Sequence, residues 1–249
     1  VLMESSKVLI DGDIVAYRSA ASLESEYFKD AVCSDLKLYK YKQDHHEMFV
    51  KGYKFWAAGT TKLERHLDKS MKYIIDKTVR SLDSGLYQVY LTGSDNFRYK
   101  VAKSFPYKET RKSTPKPVDL PKARAYLVKH FGAIISEGEE ADDLIAIEAT
   151  RCGPTTIVAS VDKDMLQIPC RHFNLTKGSW TTVSKLSGLK FFYTQILTGD
   201  VSDNIKGVHG IGPKTAQKLL LDLTTEEDLW DACVKAYEGD VQRVIENAR

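Results

Sequence analysis

The chain has 249 residues, is 43% hydrophobic and sets 36 basic side chains against 34 acidic ones, for a net charge of +2 with histidines neutral. That is enough for one large α/β domain or two small ones with a sizeable core, while the near-neutral total says nothing about partners. Four cysteines (Cys33, Cys152, Cys170, Cys233) stand far apart without a CxxC pair. This argues against a zinc site or a disulfide framework and for a reduced, cytoplasmic chain. No apolar run approaches the roughly 20 residues of a membrane span, and no signal-peptide pattern opens the chain.

Strand and helix signals alternate along the sequence. "KVLID" (7–11), "QVYLTG" (88–93) and "TIVASVD" (156–162) are short apolar, β-branched runs; 62–82, 119–131 and 141–151 carry helical spacing. Strands separated by helices predict a mainly parallel sheet flanked by helices. Residues 191–249 read as mostly helical around a glycine-rich break at 207–212. The expected division is an α/β core over 1–190 and a helical region over 191–249 packed on it. An insertion is expected at 23–62, where alternation around "QDHHE" suggests a hairpin and His45 and His46 read as turn residues.

Charge is unevenly distributed. Arg98 to Lys129 holds ten Lys or Arg against Glu109 and Asp119, whereas Glu137 to Asp164 holds eight acids against Arg151 and Lys163. Each run alone reads as a solvated face. Within the acidic run, "EGEEADD" (137–143) places five acids in seven positions at the start of a helix, although like charges at helical spacing repel. The helix dipole accounts for Asp142 and Asp143 but not for five acids.

Other acids follow the strands: Asp11 after the first, Asp95 near the second, Asp162 and Asp164 after the third. Ligands of open α/β sheets bind outside the carboxyl ends of strands, so these side chains are expected to converge. Asp200 and Asp203 in "TGDVSDN" form a further pair, which alone reads as a turn or cap. Hard divalent cations with oxygen ligands would neutralise such a pool, and Mg²⁺ uses few direct carboxylates while keeping several waters.

Two Mg²⁺ chemistries fit the first strand. "LIDGDIV" matches the pattern of haloacid-dehalogenase-like phosphatases, with Asp11 as nucleophile and Asp13 as acid and base, but leaves "EEADD", the basic segment and the glycine-rich break without roles. "GVHGIGPKTAQKLL" (207–220) instead resembles a helix-hairpin-helix, in which Gly210 and Gly212 let backbone N–H groups approach a phosphate and Lys214 adds charge. A plain turn with Pro213 at the first helical position is the alternative.

In order, "LIDGD", "TGSDNFRY", "YKETR", "EGEEADD", "SVDKD", "LTGDVSDN" and "GVHGIGPKTA" resemble the 5′-nuclease superfamily: flap endonucleases, the 5′-nuclease domain of DNA polymerase I and, above all, phage 5′-exonucleases. The resemblance covers about 7–220. It implies metal-binding acids at Asp11, Asp95, Glu140, Asp142, Asp143, Asp162, Asp164, Asp200 and Asp203, and a basic pair at Lys108 and Arg111 that contacts the phosphate near the cut. It also implies Tyr17 and Arg18 near the terminal nucleotides; a core tyrosine is the other reading of Tyr17. Lys103, Lys112, Lys116 and Lys122 would line an arch-like segment over 98–122. The implied cofactors are two or more Mg²⁺ ions, replaceable by Mn²⁺, with K⁺ at the helix-hairpin-helix. The implied partner is DNA with 5′ ends or flaps, bound by a monomer in a bacterial or phage-infected cell. Non-catalytic DNA binding is disfavoured because unneutralised acids repel phosphates. A PIN-domain ribonuclease would lack the helix-hairpin-helix.

Overall fold

A computed structural model describes residues 7–31, 60–81, 85–109 and 116–248. The predicted hairpin, His45, His46, Cys33, Arg111 and Lys112 lie outside the described residues. β1 (Val8–Asp11) leads directly into α1 (Gly12–Ala31), and α2 (Thr60–Thr78) precedes β2 (Tyr87–Leu91). The short α3 (Arg98–Val101), then α4 (Leu120–Phe131), β3 (Ile134–Ile135), α5 (Ala141–Cys152) and β4 (Ile157–Ser160) follow. β5 (Arg171–Asn174), β6 (Trp180–Thr182) and α6 (Lys185–Thr198) come next, with a 3-10 turn at Lys163–Gln167 after β4. The chain then forms a small ladder of β7 (Gly199–Asp200) and β8 (Ile205–Lys206), and the helices α7 (Pro213–Leu220), α8 (Glu226–Ala236) and α9 (Val241–Asn247).

The sheet order is β3-β2-β1-β4-β5-β6, parallel except for β6 against β5. The three predicted strands occupy its centre. β3, β5 and β6 escape the sequence reading because β3 has two residues and β5 reads "RHFN", without apolar alternation. Helix α1 runs to Ala31, through the first part of the expected insertion, and α6 passes through residue 190. The C-terminal region is therefore distinguished by its own apolar cluster rather than by a linker. In that cluster Tyr193, Ile196 and Leu197 of α6 pack with Ala216, Leu229 and Val244.

The period of two along each strand divides the core. Val8, Ile10, Ile157 and Ala159 pack toward α1, α2 and α4, while Leu9 and Val158 pack toward α5 around Ile145. The same alternation turns Asp11 to the α5 face, next to Ser160. β1 and β4 pair in parallel, Ile10 opposite Ala159, so both carboxyl ends open on one edge. No described helix is long and apolar enough to cross a membrane.

Gly12, between two acids of the first motif, has a steric reason. A Cβ there would lie 2.7 Å from the Tyr90 carbonyl oxygen and 2.7 Å from Val89 Cγ1. Gly12→Ala should cost roughly 1–3 kcal/mol, the usual range for overpacking, seen as a lower urea midpoint at unchanged slope. An unshifted midpoint would mean that α1 sits further from β2 than this contact implies.

Candidate active site

Asp11, the last residue of β1, is 4% exposed; it accepts a 2.7 Å hydrogen bond from Ser160 Oγ and a 3.2 Å bond from the Ile14 amide. Burial nevertheless pushes its carboxyl up to about 6, with a contribution from Asp162. Asp162 starts the 3-10 turn, accepting the Asp164 amide at 2.9 Å, so Asp164 sits inside that turn and not at a strand end. Glu140 precedes the first turn of α5 and is 8% exposed.

Asp142, partly buried in that first turn, makes no hydrogen bond or ion pair among the described residues. Burial, then the charges of Asp11, Asp162 and Glu140, push its carboxyl up to about 8 against a smaller opposing effect of Lys108. These four acids line one open cleft of about 960 Å³ together with Tyr17, Lys108 and Lys116. A second cleft of about 400 Å³ shares Glu140 and Asp142 and adds Asp143, Asp164, Asp200 and Asp203. Eight of the nine predicted acids thus line two adjoining clefts. Asp95 does not: it is exposed on the loop after β2, where Oδ1 accepts the Asn96 amide at 2.9 Å.

Protein cations and donors hold most of these acids. Lys108 Nζ lies 2.5 Å from Glu140 Oε1, and Arg98 grips both oxygens of Asp143 at 2.5 and 2.7 Å. Asp143 Oδ2 also accepts the Glu140 amide at 2.9 Å, as a helix cap. Burial pushes the Asp143 carboxyl up, but Arg98 and that amide outweigh it and hold it below the usual range. At Asp200, the Ser202 hydroxyl and amide and the Lys163 ammonium likewise outweigh burial. Asp164 stays raised by burial and by Asp162, although Gln195 donates to it at 2.5 Å. The Tyr107 hydroxyl lies 3.0 Å from Glu140 Oε2 and 3.1 Å from Asp203 Oδ2; burial and both acids push its pKa up, so it remains a donor.

No three carboxylate, thiol or imidazole groups among the described residues surround a common point as they stand. The donor set nevertheless fits a hard divalent cation: it is all oxygen, and it is short of positive charge where Asp142 lies. Arg98, Tyr107, Ser160, Lys163 and Gln195 were missed by sequence reasoning, because their roles depend on contacts between distant segments. Arg98, Tyr107, Ser160 and Lys163 stand inside the quoted motifs, and Gln195 stands outside them.

The remaining predicted residues are dispersed. Tyr17 is half-buried in the wall of the larger cleft. Arg18 faces a different groove, beside His66 and Lys69, and donates to Thr176 Oγ1 at 2.6 Å. Asp13 lines the same larger cleft, where it pairs with Arg124 and accepts the Thr92 amide at 2.8 Å. That arrangement ties α1 to α4 and occupies the Asp13 carboxylate. Gly210 is left-handed at φ 77°, and Gly212 precedes α7, which starts at Pro213.

If Asp142 is the acid with least compensation, Asp142→Asn should raise the melting temperature of chelator-treated protein. A carboxyl with a raised folded-state pKa stabilises at low pH and loses that contribution as pH rises. The gain should therefore be larger at pH 8 than at pH 5. Equal melting curves for the two proteins at pH 8 would show that the four acids do not repel one another.

No family model matches the chain. Flap endonuclease Xni of Shewanella piezotolerans is 34% identical over 128 residues, covering 46% of this chain and 50% of that protein. DNA polymerase I of Deinococcus radiodurans is 32% identical over 141 residues, covering 51% of this chain and 15% of the polymerase. The chain spans about half the length of the Xni relatives it matches. In fold, it is similar to the T5 D15 protein co-crystallised with metal ions, with TM-score 0.64 and 15% identity over 98% of this chain and 87% of that one. The chain is thus similar in sequence to bacterial flap endonucleases and to DNA polymerase I, and in fold to the T5 D15 protein.

Proposed function

We propose that the protein is a divalent-metal-dependent 5′-nuclease that hydrolyses phosphodiester bonds in DNA carrying 5′ ends or flaps. The observation that carries this reading is the convergence of Asp11, Glu140, Asp142 and Asp162 on one cleft with Lys108, beside a second cleft lined by Asp164, Asp200 and Asp203. The first four would hold one ion and the latter group a second. Asp143, taken up by Arg98, is assigned to positioning Glu140 and α5, and Asp95 is left out of the set. When bound, divalent ions supply a better nucleophile from water and offset charge on the attacking and leaving oxygens. Mg²⁺ suits the oxygen donors, with Mn²⁺ replacing it.

The chain's own residues orient the DNA. Lys108 would exchange Glu140 for the phosphate near the cut, with Arg111 as the second member of that basic pair, while Tyr17 would stack on an unpaired base and Arg18 would add charge near the terminal nucleotides. The Gly210–Gly212 turn would grip duplex backbone with Lys214, with K⁺ at this turn. A Cβ at either glycine meets nothing within 4 Å, so internal packing does not demand glycine at Gly212, whose φ is negative. Close approach of an external group does. The relative in a complex with DNA and metal ions, the T5 D15 flap endonuclease, has TM-score 0.60 and 14% identity. A core to about residue 190, a helical region after it, action as a monomer and a cytoplasmic location complete the proposal.

The direct test is cleavage of end-labelled 5′-flap, duplex and single-stranded DNA with and without Mg²⁺. Wild type should cut only with metal, and Asp162→Asn should lose cleavage yet keep DNA affinity; metal-independent cutting would sink the reading.

Two lysines separate chemistry from grip. Lys108→Ala should slow single-turnover cleavage by about 100-fold, the scale of one lost electrostatic stabiliser. Lys214→Ala should instead weaken binding in Ca²⁺ and reduce the salt slope by about one unit. Normal cleavage by the first variant, or unchanged affinity and salt slope in the second, removes the corresponding role.

A further inference from the structure

We propose that Glu246, on the last helix, is a positioning residue that sets where Lys108 stands. The inference rests on the nuclease reading of Lys108. Glu246 is 5% exposed, and its carboxylate is turned to a segment 142 and 143 residues away. Oε1 accepts the Lys103 amide at 3.1 Å and the Ser104 amide at 2.8 Å; Oε2 accepts the Ser104 hydroxyl at 2.5 Å and faces Arg243 Nη1 at 3.3 Å. Burying a carboxylate is costly unless it is hydrogen-bonded and paired, and bonds to a charged acceptor are about twice as strong as neutral ones. The contact is thus a strong tether on the stem of the basic segment.

From Ser104 onward each residue is clipped to the C-terminal part. The Phe105 ring lies under Lys206 Nζ at 4.4 Å and the Arg243 guanidinium at 5.0 Å. The Pro106 carbonyl accepts Asn204 Nδ2 at 2.9 Å, Tyr107 reaches Asp203, and the Lys108 amide donates to the Asp203 carbonyl at 3.2 Å. Lys108 itself is left-handed at φ 53°. That conformation costs a non-glycine residue on the order of 1–3 kcal/mol and persists where surrounding contacts impose it. Its side chain is thereby aimed at Glu140. Arg243 and Asn247 also donate to the Lys206 carbonyl at 3.1 and 2.9 Å, tying the same helix to the strand before the Gly210 turn. Glu246 lines neither cleft, so its influence on cleavage runs through the placement of Lys108.

A double-mutant cycle in full-length protein tests this with single-turnover rates at saturating flap DNA and affinities in Ca²⁺. Glu246→Ala should slow cleavage by about 10- to 100-fold, the scale expected for a misplaced group, while affinity changes little. In a Lys108→Ala background it should cause no further loss. Ser104→Ala should show the same pattern more weakly, and Glu246→Gln should restore part of the rate. If Glu246→Ala does not fold, Glu246→Gln and Ser104→Ala complete the cycle. In metal-free Glu246→Gln, amide hydrogen exchange should rise at Ser104 to Lys108 and stay unchanged in α4. A rate loss that persists in full without Lys108, or wild-type cleavage by the Glu246 variants, overturns the inference. Normal cleavage by Lys108→Ala would instead overturn the role of Lys108 on which it rests.

Discussion

Repulsion among carboxylates at one edge of the sheet is the constraint around which this structure is arranged. Asp11, Glu140, Asp142 and Asp162 arrive from three elements, and the parallel pairing of β1 with β4 makes their approach unavoidable once the apolar faces of those strands are buried. Burial, and after it the charges of Asp11, Asp162 and Glu140, push the Asp142 carboxyl up to about 8. The chain offsets the rest with its own cations: Lys108 on Glu140, Arg98 on Asp143, Lys163 on Asp200. Each pairing also joins two segments distant in sequence.

Neutralisation and positioning are thus carried by the same contacts. Arg98 grips Asp143, which caps α5 through the Glu140 amide, and so the short helix α3 is tied to the start of α5. Arg124 does the same for Asp13, joining α4 to α1 in the wall of the larger cleft. Asp13 stands two residues from Asp11 and lines the same cleft, but its carboxylate is taken up by Arg124 and the Thr92 amide.

The C-terminal helices have a second use beyond their own apolar cluster. Through Asp203, Asn204, Lys206, Arg243 and Glu246 they hold residues 103–108 against the acid edge. The segment that carries Lys108 buries Tyr107 and sets Phe105 under Lys206 and Arg243, and polar contacts with the C-terminal part add to that packing. Any movement of those helices on DNA would be felt at Lys108.

Much of the sheet's centre was legible in the sequence because periodicity and β-branched runs report burial directly, and the strand-end acids followed from where ligands meet parallel sheets. The motif order carried the resemblance to 5′-nucleases likewise. Short or polar strands such as Ile134–Ile135 and Arg171–Asn174 were not legible, since their pairing comes from neighbours and not from their own pattern. Nor did spacing distinguish Asp142, left without compensation, from Asp143, held by Arg98 one position along. Asp95 likewise resembled its neighbours until the fold placed it outside both clefts. Composition along the chain determines which charges exist and which faces must be buried. Only the tertiary structure decides which charges meet, because ion pairs such as Arg98–Asp143 and tethers such as Glu246–Ser104 join segments whose separation in sequence carries no periodic signal.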